Sequence, residues 1–93
     1  MLLVDLLLIY ANIRLLVGNL SSQTSDESLY QAFSEFGPVV EAIVVRDRET
    51  GSPRGFGFVT FASNEEAEAA IAGLNGQDLD GSRIRVDPAS TRS

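Results

Sequence analysis

Residues 54–61 decide how this chain folds, and they read Arg54-Gly55-Phe56-Gly57-Phe58-Val59-Thr60-Phe61. In an extended strand, successive side chains point to opposite faces of the sheet. One face of this strand carries a charge, two aromatic rings and a hydroxyl, from Arg54, Phe56, Phe58 and Thr60. The other face carries the small and apolar groups that suit a core, from Gly55, Gly57, Val59 and Phe61. The stretch therefore predicts a strand with one buried face and one aromatic, open face.

Two aromatic rings side by side on an open face are costly unless a partner stacks on them. Unpaired nucleic-acid bases are suitable partners, because every base has a π face. The alternative is an ordinary amphipathic strand in which the aromatic rings are buried. That alternative requires cover on both faces, because Val59 and Phe61 also need a core.

The octapeptide matches at every position the pattern basic-Gly-aromatic-Gly-Phe-Val-x-aromatic, which marks the third strand of an RNA recognition motif. Three other stretches resemble the same family: Leu15-Leu16-Val17-Gly18-Asn19-Leu20 its first strand, Asp47-Arg48-Glu49-Thr50-Gly51 the loop before its third, and Gly81-Ser82-Arg83-Ile84-Arg85-Val86 the entry into its fourth. Residues 13–88 fit the family pattern in order. The resemblance implies an α+β fold of the ferredoxin-like βαββαβ type, a four-stranded antiparallel sheet with two helices on one face.

Local signals place the elements along this pattern. Strands are expected at 13–18, 39–46, 54–61 and 83–87, with a polar turn at 78–81. Thr24-x-x-Glu27 is a capping-box signature that predicts a helix start at residue 24 or 25, and Gly37-Pro38 stops that helix. Ser63-x-x-Glu66 predicts the start of a second helix, and Asn75-Gly76 its end.

Composition argues against catalysis. The chain contains neither cysteine nor histidine, so it lacks thiolate chemistry, disulfides and the commonest general base and metal ligand. Gly55-Phe56-Gly57 lacks the third glycine and the following helix of a dinucleotide fingerprint. We expect a binding protein with no cofactor, no metal and no catalytic residues.

The net charge of −6 is unusual for a nucleic-acid binder, which is expected to be basic. The charged residues of the predicted helices are all acidic: Asp26, Glu27, Glu35, Glu65, Glu66 and Glu68. Every basic residue is arginine, and six of them fall on predicted strands or adjoining loops: Arg14, Arg46, Arg48, Arg54, Arg83 and Arg85. This distribution predicts an acidic helical side and an arginine-bearing sheet, unless some arginines pair with neighbours such as Glu41, Asp47 or Glu49.

The resemblance implies a binding surface for single-stranded RNA on the sheet. Its candidate residues are Arg14, Leu16, Ile43, Val45, Arg54, Phe56, Phe58, Arg83 and Arg85. By resemblance, Phe58 stacks on a base, Phe56 packs against sugar or base, and Arg54 meets a phosphate. Leu16 departs from the pattern, since the family usually has an aromatic there. Base–aromatic stacking is worth about 1–3 kcal/mol, so weak binding is expected.

Two other functions stay open. A protein-interaction module on the same fold would use the acidic helices and the Arg83-Ile84-Arg85 element, although that element lacks the aromatic of family members that bind peptides. The aromatic pair argues against a pure peptide binder, which would not need it. Single-stranded DNA is a second alternative, since no residue excludes it.

Residues 1–12, Met-Leu-Leu-Val-Asp-Leu-Leu-Leu-Ile-Tyr-Ala-Asn, lie outside the family pattern, as does the tail at 89–93. The run is too short to span a bilayer and lacks the basic start of a signal peptide. It is expected to pack on its own domain, extend the first strand, fold over the open face as a lid, mediate self-association, or form a disordered tail, since termini are commonly loose unless tied down. We expect an intracellular protein of the nucleus or cytoplasm that acts in RNA processing.

Overall fold

The computed structural model describes residues 13–89, and its strands and helices follow the predicted order. The elements are β1 (Ile13–Gly18), α1 (Asp26–Phe33), a 3₁₀ turn (Ser34–Phe36), β2 (Val39–Arg46), β3 (Pro53–Phe61), α2 (Asn64–Leu74), β4 (Asp78–Leu79), β5 (Ser82–Arg83) and β6 (Arg85–Pro88). Four strands form an antiparallel sheet in the order β2-β3-β1-β6, and β4 pairs only with β5. The predicted ferredoxin-like architecture is confirmed.

The core lies between one face of this sheet and the two helices. The strands contribute Leu15, Val17, Val39, Val44, Val59, Phe61 and Val86, and the helices contribute Leu29, Phe33, Ala67 and Ala70. Phe33 of α1 and Phe61 of β3 are both fully buried in this core, with ring centroids 6.4 Å apart. Both helices therefore cover the same sheet face, and the side chains at alternate strand positions point to the other.

The first helix begins one residue later than the Thr24 capping box predicts. Ser25 is the N-cap, and its hydroxyl accepts from the backbone N–H of Ser28, while the Ser28 hydroxyl accepts from the backbone N–H of Ser25. Thr24 is buried instead, and its hydroxyl donates to Asp80 at 2.7 Å. The second helix begins as predicted, since Ser63 accepts from the backbone N–H of Glu66.

The predicted last strand at 83–87 is wrong in its first half. Asp80 (φ 53°) and Gly81 (φ 90°) adopt left-handed conformations, which suit a two-residue hairpin turn. The turn pairs Asp78 with Arg83, so Arg83 belongs to the β4–β5 hairpin and not to the main sheet. The fourth strand of the sheet begins only at Arg85.

β1 and β6 lie at the two ends of the described residues and pair with each other. The backbone N–H of Ala89 donates to the carbonyl of Arg14, which extends the pairing of β6 with β1 by one residue. Residues 1–12 and 90–93 are outside the described residues, and so are the roles predicted for them. Within 13–89, neither helix is long and apolar enough to cross a membrane.

Gly57 is required by close packing between β3 and β2. A Cβ added there would clash with the carbonyl oxygen of Ile43, whereas a Cβ added at Gly18 meets nothing within 4 Å. We expect Gly57→Ala to lower the free energy of unfolding by about 1–3 kcal/mol, as measured by urea denaturation. Gly18→Ala is the matched control in β1 and should cost less. Equal losses for the two variants would contradict this packing.

Candidate nucleic-acid interface

The open face of the sheet consists of three rows of side chains that cross the strands. The central row is Ile43, Phe58, Leu16 and Asp87, which pair in succession across β2, β3, β1 and β6. One neighbouring row is Phe56, Gly18 and Arg85, and the other is Glu41, Thr60 and Arg14. We call the residues of these three rows the open face. They include residues as far apart in the sequence as Arg14 and Asp87, 73 positions.

The aromatic pair lies in the middle of the open face. Phe56 and Phe58 are both half-buried, and their ring centroids are 6.2 Å apart with an interplanar angle of 88°. This edge-to-face contact leaves the two rings differently oriented, so that a planar group can stack on one while a sugar or base packs beside the other. Ile43, on β2 beside Phe58, is 38% exposed and extends the apolar surface. Val45 is half-buried near the register shift at the end of β2.

Arg14 and Thr60 form one border of the aromatic pair. The guanidinium of Arg14 lies 5.2 Å from the ring centroid of Phe58, within the range of a cation–π contact. The same guanidinium is 3.9 Å from the Glu41 carboxylate. Thr60 is paired with Arg14 on one side and Glu41 on the other, so the ion pair between these two residues spans Thr60. Thr60 is only 7% exposed. Thr60 therefore lies on the open side of β3 without being accessible, whereas Arg14 is exposed beside Phe58.

Arg85 and Asp87 form the border of the open face at the sheet edge, on β6. Both lie on the open side of β6, because Val86 between them is buried in the core. The Nε of Arg85 is 3.5 Å from Oδ2 of Asp87; the Arg85 side chain is 76% exposed and the Asp87 side chain 48%. Gly18, which pairs with Arg85, leaves open space between Arg85 and the ring of Phe56.

Arg46, at the end of β2, and Arg48, in the loop between β2 and β3, are two further arginines of the chain. The carboxylate of Asp47 accepts from the backbone N–H groups of Thr50 (3.1 Å) and Glu49 (2.8 Å), which lower the pKa of Asp47 below its ordinary value of 3.8. Since the folded-state pKa is depressed, this support is present above about pH 3.8 and is lost as the pH falls through the lowered value. Arg46 donates to the carbonyl of Gly51 at 3.3 Å. The loop thus has a defined shape.

Arg54 and Arg83 are exposed at the end of the sheet where β3 begins. Gly55 has φ 89°, and the β2–β3 register shifts between Val44 and Arg46, so regular alternation along β3 starts only at Phe56. The alternation of side chains along β3 therefore does not determine on which face of the sheet Arg54 lies. The side chain of Asn19 (φ 58°) donates to the carbonyl of Arg83 at 2.7 Å. Asn19 thereby ties the loop after β1 to the β4–β5 hairpin.

One carboxylate on the acidic helical side, that of Asp26, helps to hold the fold together. Asp26, in the first turn of α1, accepts from the backbone N–H of Val44 at 2.7 Å, which caps a free donor on the edge strand β2. Glu27, Glu65 and Glu68 are exposed on the helices. The described structure therefore separates an acidic helical side from the open face, with Glu41 and Asp87 as the acidic exceptions on that face.

Sequence reasoning located the aromatic pair but missed Asp87, which pairs with Leu16 on the same face. The open face unites Arg14, Leu16, Ile43, Phe56, Phe58 and Arg85 of the predicted site residues. It does not include Arg83, which lies in the hairpin. The sequence signal that identifies Asp87 is the alternation of side chains along 84–87. Ile84 and Val86 are buried, so Arg85 and Asp87, which alternate with them, lie on the open face.

The comparisons with known proteins agree with this geometry. The family model of the RNA recognition motif matches residues 15–85, so the chain belongs to the RNA recognition motif family. It is 62% identical over 76 residues to glycine-rich RNA-binding protein 1 of Mycosarcoma maydis, covering 82% of this chain and 43% of that protein. It is 51% identical over 84 residues to glycine-rich RNA-binding protein 4, mitochondrial, of Arabidopsis thaliana, covering 90% of this chain and 62% of that protein. The chain thus spans less than two thirds of either relative.

The solved structures to which this chain is similar belong to the same family. The crystal structure of the first two RNA recognition motif domains of the yeast poly(U)-binding protein superposes with a TM-score of 0.82 at 39% identity. That match covers 86% of this chain and 48% of the yeast chain.

Proposed function

We propose that this chain binds single-stranded RNA across the open face of its sheet. The observation that carries the proposal is the pair Phe56 and Phe58, two half-buried rings at 88° on the sheet face opposite both helices. Membership of the RNA recognition motif family and similarity to proteins named for RNA binding support it. Residues 13–88 form the binding unit, and its role is binding without catalysis.

Each site residue has a proposed role. Phe58 stacks on a base, and Phe56 packs against a sugar or a second base. Arg14, Arg54, Arg83 and Arg85 meet phosphates or bases around the pair, and Leu16, Ile43 and Val45 supply apolar contact. The arrangement favours single strands, because only unstacked bases expose the faces that aromatic side chains need.

Titration of labelled RNA tests the proposal. Fluorescence anisotropy is measured with a random-sequence single-stranded RNA of about ten nucleotides, with the same pool in DNA, and with a duplex RNA. We expect saturable binding to single-stranded RNA and much weaker binding to the duplex. Tighter binding of the DNA pool would assign the open face to single-stranded DNA. Absence of binding to every nucleic acid would contradict the proposal.

Salt dependence separates RNA binding from peptide binding. If three or four arginines meet phosphates, the logarithm of affinity should fall with the logarithm of salt concentration with a slope of about −2 to −3, since each contact contributes roughly −0.7 for single strands. Anisotropy titrations from low to moderate KCl give the slope. A flat dependence would favour the peptide-binding alternative. In that alternative the exposed helical carboxylates of Glu27, Glu65 and Glu68 would meet the peptide, whereas Asp26 already accepts from the backbone of β2.

Leu16 limits the affinity of the open face. It is half-buried between Phe58 and Asp87 and offers no π face. We expect Leu16→Phe to raise RNA affinity by about fivefold or more, the lower end of one stacking contribution. Leu16→Ile is the control, because it keeps an apolar side chain without a ring. An unchanged affinity for Leu16→Phe would show that no base lies over this position.

The proposed compartment is the nucleus or the cytoplasm, with RNA processing as the setting. One relative carries the word mitochondrial in its name. Imaging of the tagged full chain decides between these compartments, and mitochondrial signal would overturn the assignment.

A further inference from the structure

The central row of the open face forms an apolar strip across the sheet. Ile43 on β2 is 38% exposed, and Phe58 and Leu16 beside it are half-buried. Phe56 adds a second ring one row away. An apolar cover over this strip is favourable, because it removes apolar surface from water. The surface that is proposed to bind RNA is therefore also suited to an apolar segment of protein.

Residues 1–11 are such an apolar segment, and they lie directly before the sheet in the sequence. They read Met-Leu-Leu-Val-Asp-Leu-Leu-Leu-Ile-Tyr-Ala, in which Asp5 is the only charged side chain. A run of this composition is unfavourable in water unless another surface covers it. Extended, it spans up to about 36 Å, whereas the first and last strands of a four-stranded sheet lie only about 14 Å apart. The segment is long enough to reach every strand of the open face.

The start of β1 favours a return of the chain over a sheet face. β1 is an interior strand, and its first residue, Ile13, pairs with Phe61, the last residue of β3. A straight continuation of β1 toward its N-terminus would therefore find no further partner on β3. Asn12, which precedes Ile13, is a residue type that favours turns.

Charge favours the open face over the helical side. The charged side chains of α1 and α2 are all acidic and would repel Asp5. On the open face, Arg14 and Arg85 balance Glu41 and Asp87. An apolar segment with a single carboxylate is therefore better accommodated on the open face.

We propose that residues 1–11 fold back over the open face and cover its central row, where they compete with single-stranded RNA. The competition rests on the proposed RNA binding, whereas the docking of the segment rests on the apolar strip, the start of β1 and the charges. Only molecules in which the segment is undocked bind RNA, so docking lowers the apparent affinity. Docking in about 90% of molecules would weaken RNA binding about tenfold.

A spin label on the segment tests where the segment lies. The chain has no cysteine, so a nitroxide on Val4→Cys is its only label. In the full chain we expect this label to broaden the backbone amide signals of β1, β2 and β3 more than those of α1 and α2. The same label on Gln31→Cys, exposed on α1, is the reference for a label on the helical side. Broadening like that of the reference, or no broadening within the described residues, would overturn the docking.

A mixed sample distinguishes docking within one chain from self-association. Spin-labelled chains without ¹⁵N are mixed with ¹⁵N-labelled chains that carry no spin label. Docking within one chain predicts no broadening in this mixture. Broadening of the open face there would show that the segment covers a second copy, and it would overturn the proposal.

RNA titration tests the competition. In the full chain, Leu6→Ser combined with Leu7→Ser should raise RNA affinity about tenfold, because polar side chains weaken the docked state. Ala11→Ser, a change in the same segment, is the control and should leave the affinity unchanged. An unchanged affinity of the double variant would overturn the competition and leave RNA binding intact. Absence of RNA binding by every chain would overturn the competition together with the proposed function, while the spin label would still decide the docking.

Discussion

Replacing Phe56 and Phe58 together with alanine is expected to weaken RNA binding by about 25-fold or more while the domain stays folded. Each base–aromatic contact contributes about 1–3 kcal/mol, and the two rings face away from the helices. The loss in stability should be small, because both side chains are only half-buried and neither belongs to the buried core. Anisotropy titrations give the affinity, and far-UV circular dichroism reports the fold.

Tyr30→Ala is the control for this experiment. Tyr30 is an aromatic residue of α1 that is 46% exposed, and it lies on an element that covers the opposite sheet face. Its replacement should leave RNA affinity unchanged. If Tyr30→Ala weakened binding as much as the double variant, the ligand would lie on the helical side and the assigned face would be wrong.

Phe61→Ala is expected to cost about 3–5 kcal/mol of the free energy of unfolding, as for other fully buried aromatics. Phe61 is 0% exposed and packs against Phe33 of α1. Small domains have a total stability of only about 5–15 kcal/mol, so the variant should unfold at much lower urea concentration or fail to fold at physiological temperature. Urea denaturation followed by circular dichroism measures the difference.

Phe58→Ala provides the comparison within the same strand. The chemistry of the substitution is identical, and only the sheet face differs. Its cost to stability should be clearly smaller than that of Phe61→Ala, and its cost to RNA affinity larger. Equal shifts of the urea midpoint for the two variants would contradict the assignment of faces along β3.

The strands of the main sheet were largely predictable because each is a β-rich run that ends at loop or turn residues, although the register shifts in β2 and the φ of Gly55 interrupt their alternation. The predicted bounds of β1 and β2 are those of the structure, Ile13–Gly18 and Val39–Arg46. The first helix start was misplaced, because Thr24 and Ser25 both match a capping residue. The fold decides between them by burying Thr24 against Asp80, a residue from the distant hairpin.

The last strand was misplaced for a similar reason. A polar turn and a following strand were visible in 78–87, but the conformations of Asp80 and Gly81 divert Arg83 into a local hairpin. The candidate site was predictable one strand at a time. The contact of Arg14 with Phe58 and the juxtaposition of Asp87 with Leu16 depend on which strands are neighbours. That order comes from tertiary pairing and cannot be read from a single segment.

The most direct test of the open face is a map of backbone amide shifts during titration of the full chain with random-sequence single-stranded RNA. RNA across the sheet predicts the largest shifts at 14–18 in β1, 43–46 in β2, 54–60 in β3 and 85–89 at the last strand, with the helices little changed. Shifts concentrated on α1 and α2, with β1 and β3 unaffected, would contradict the proposed interface.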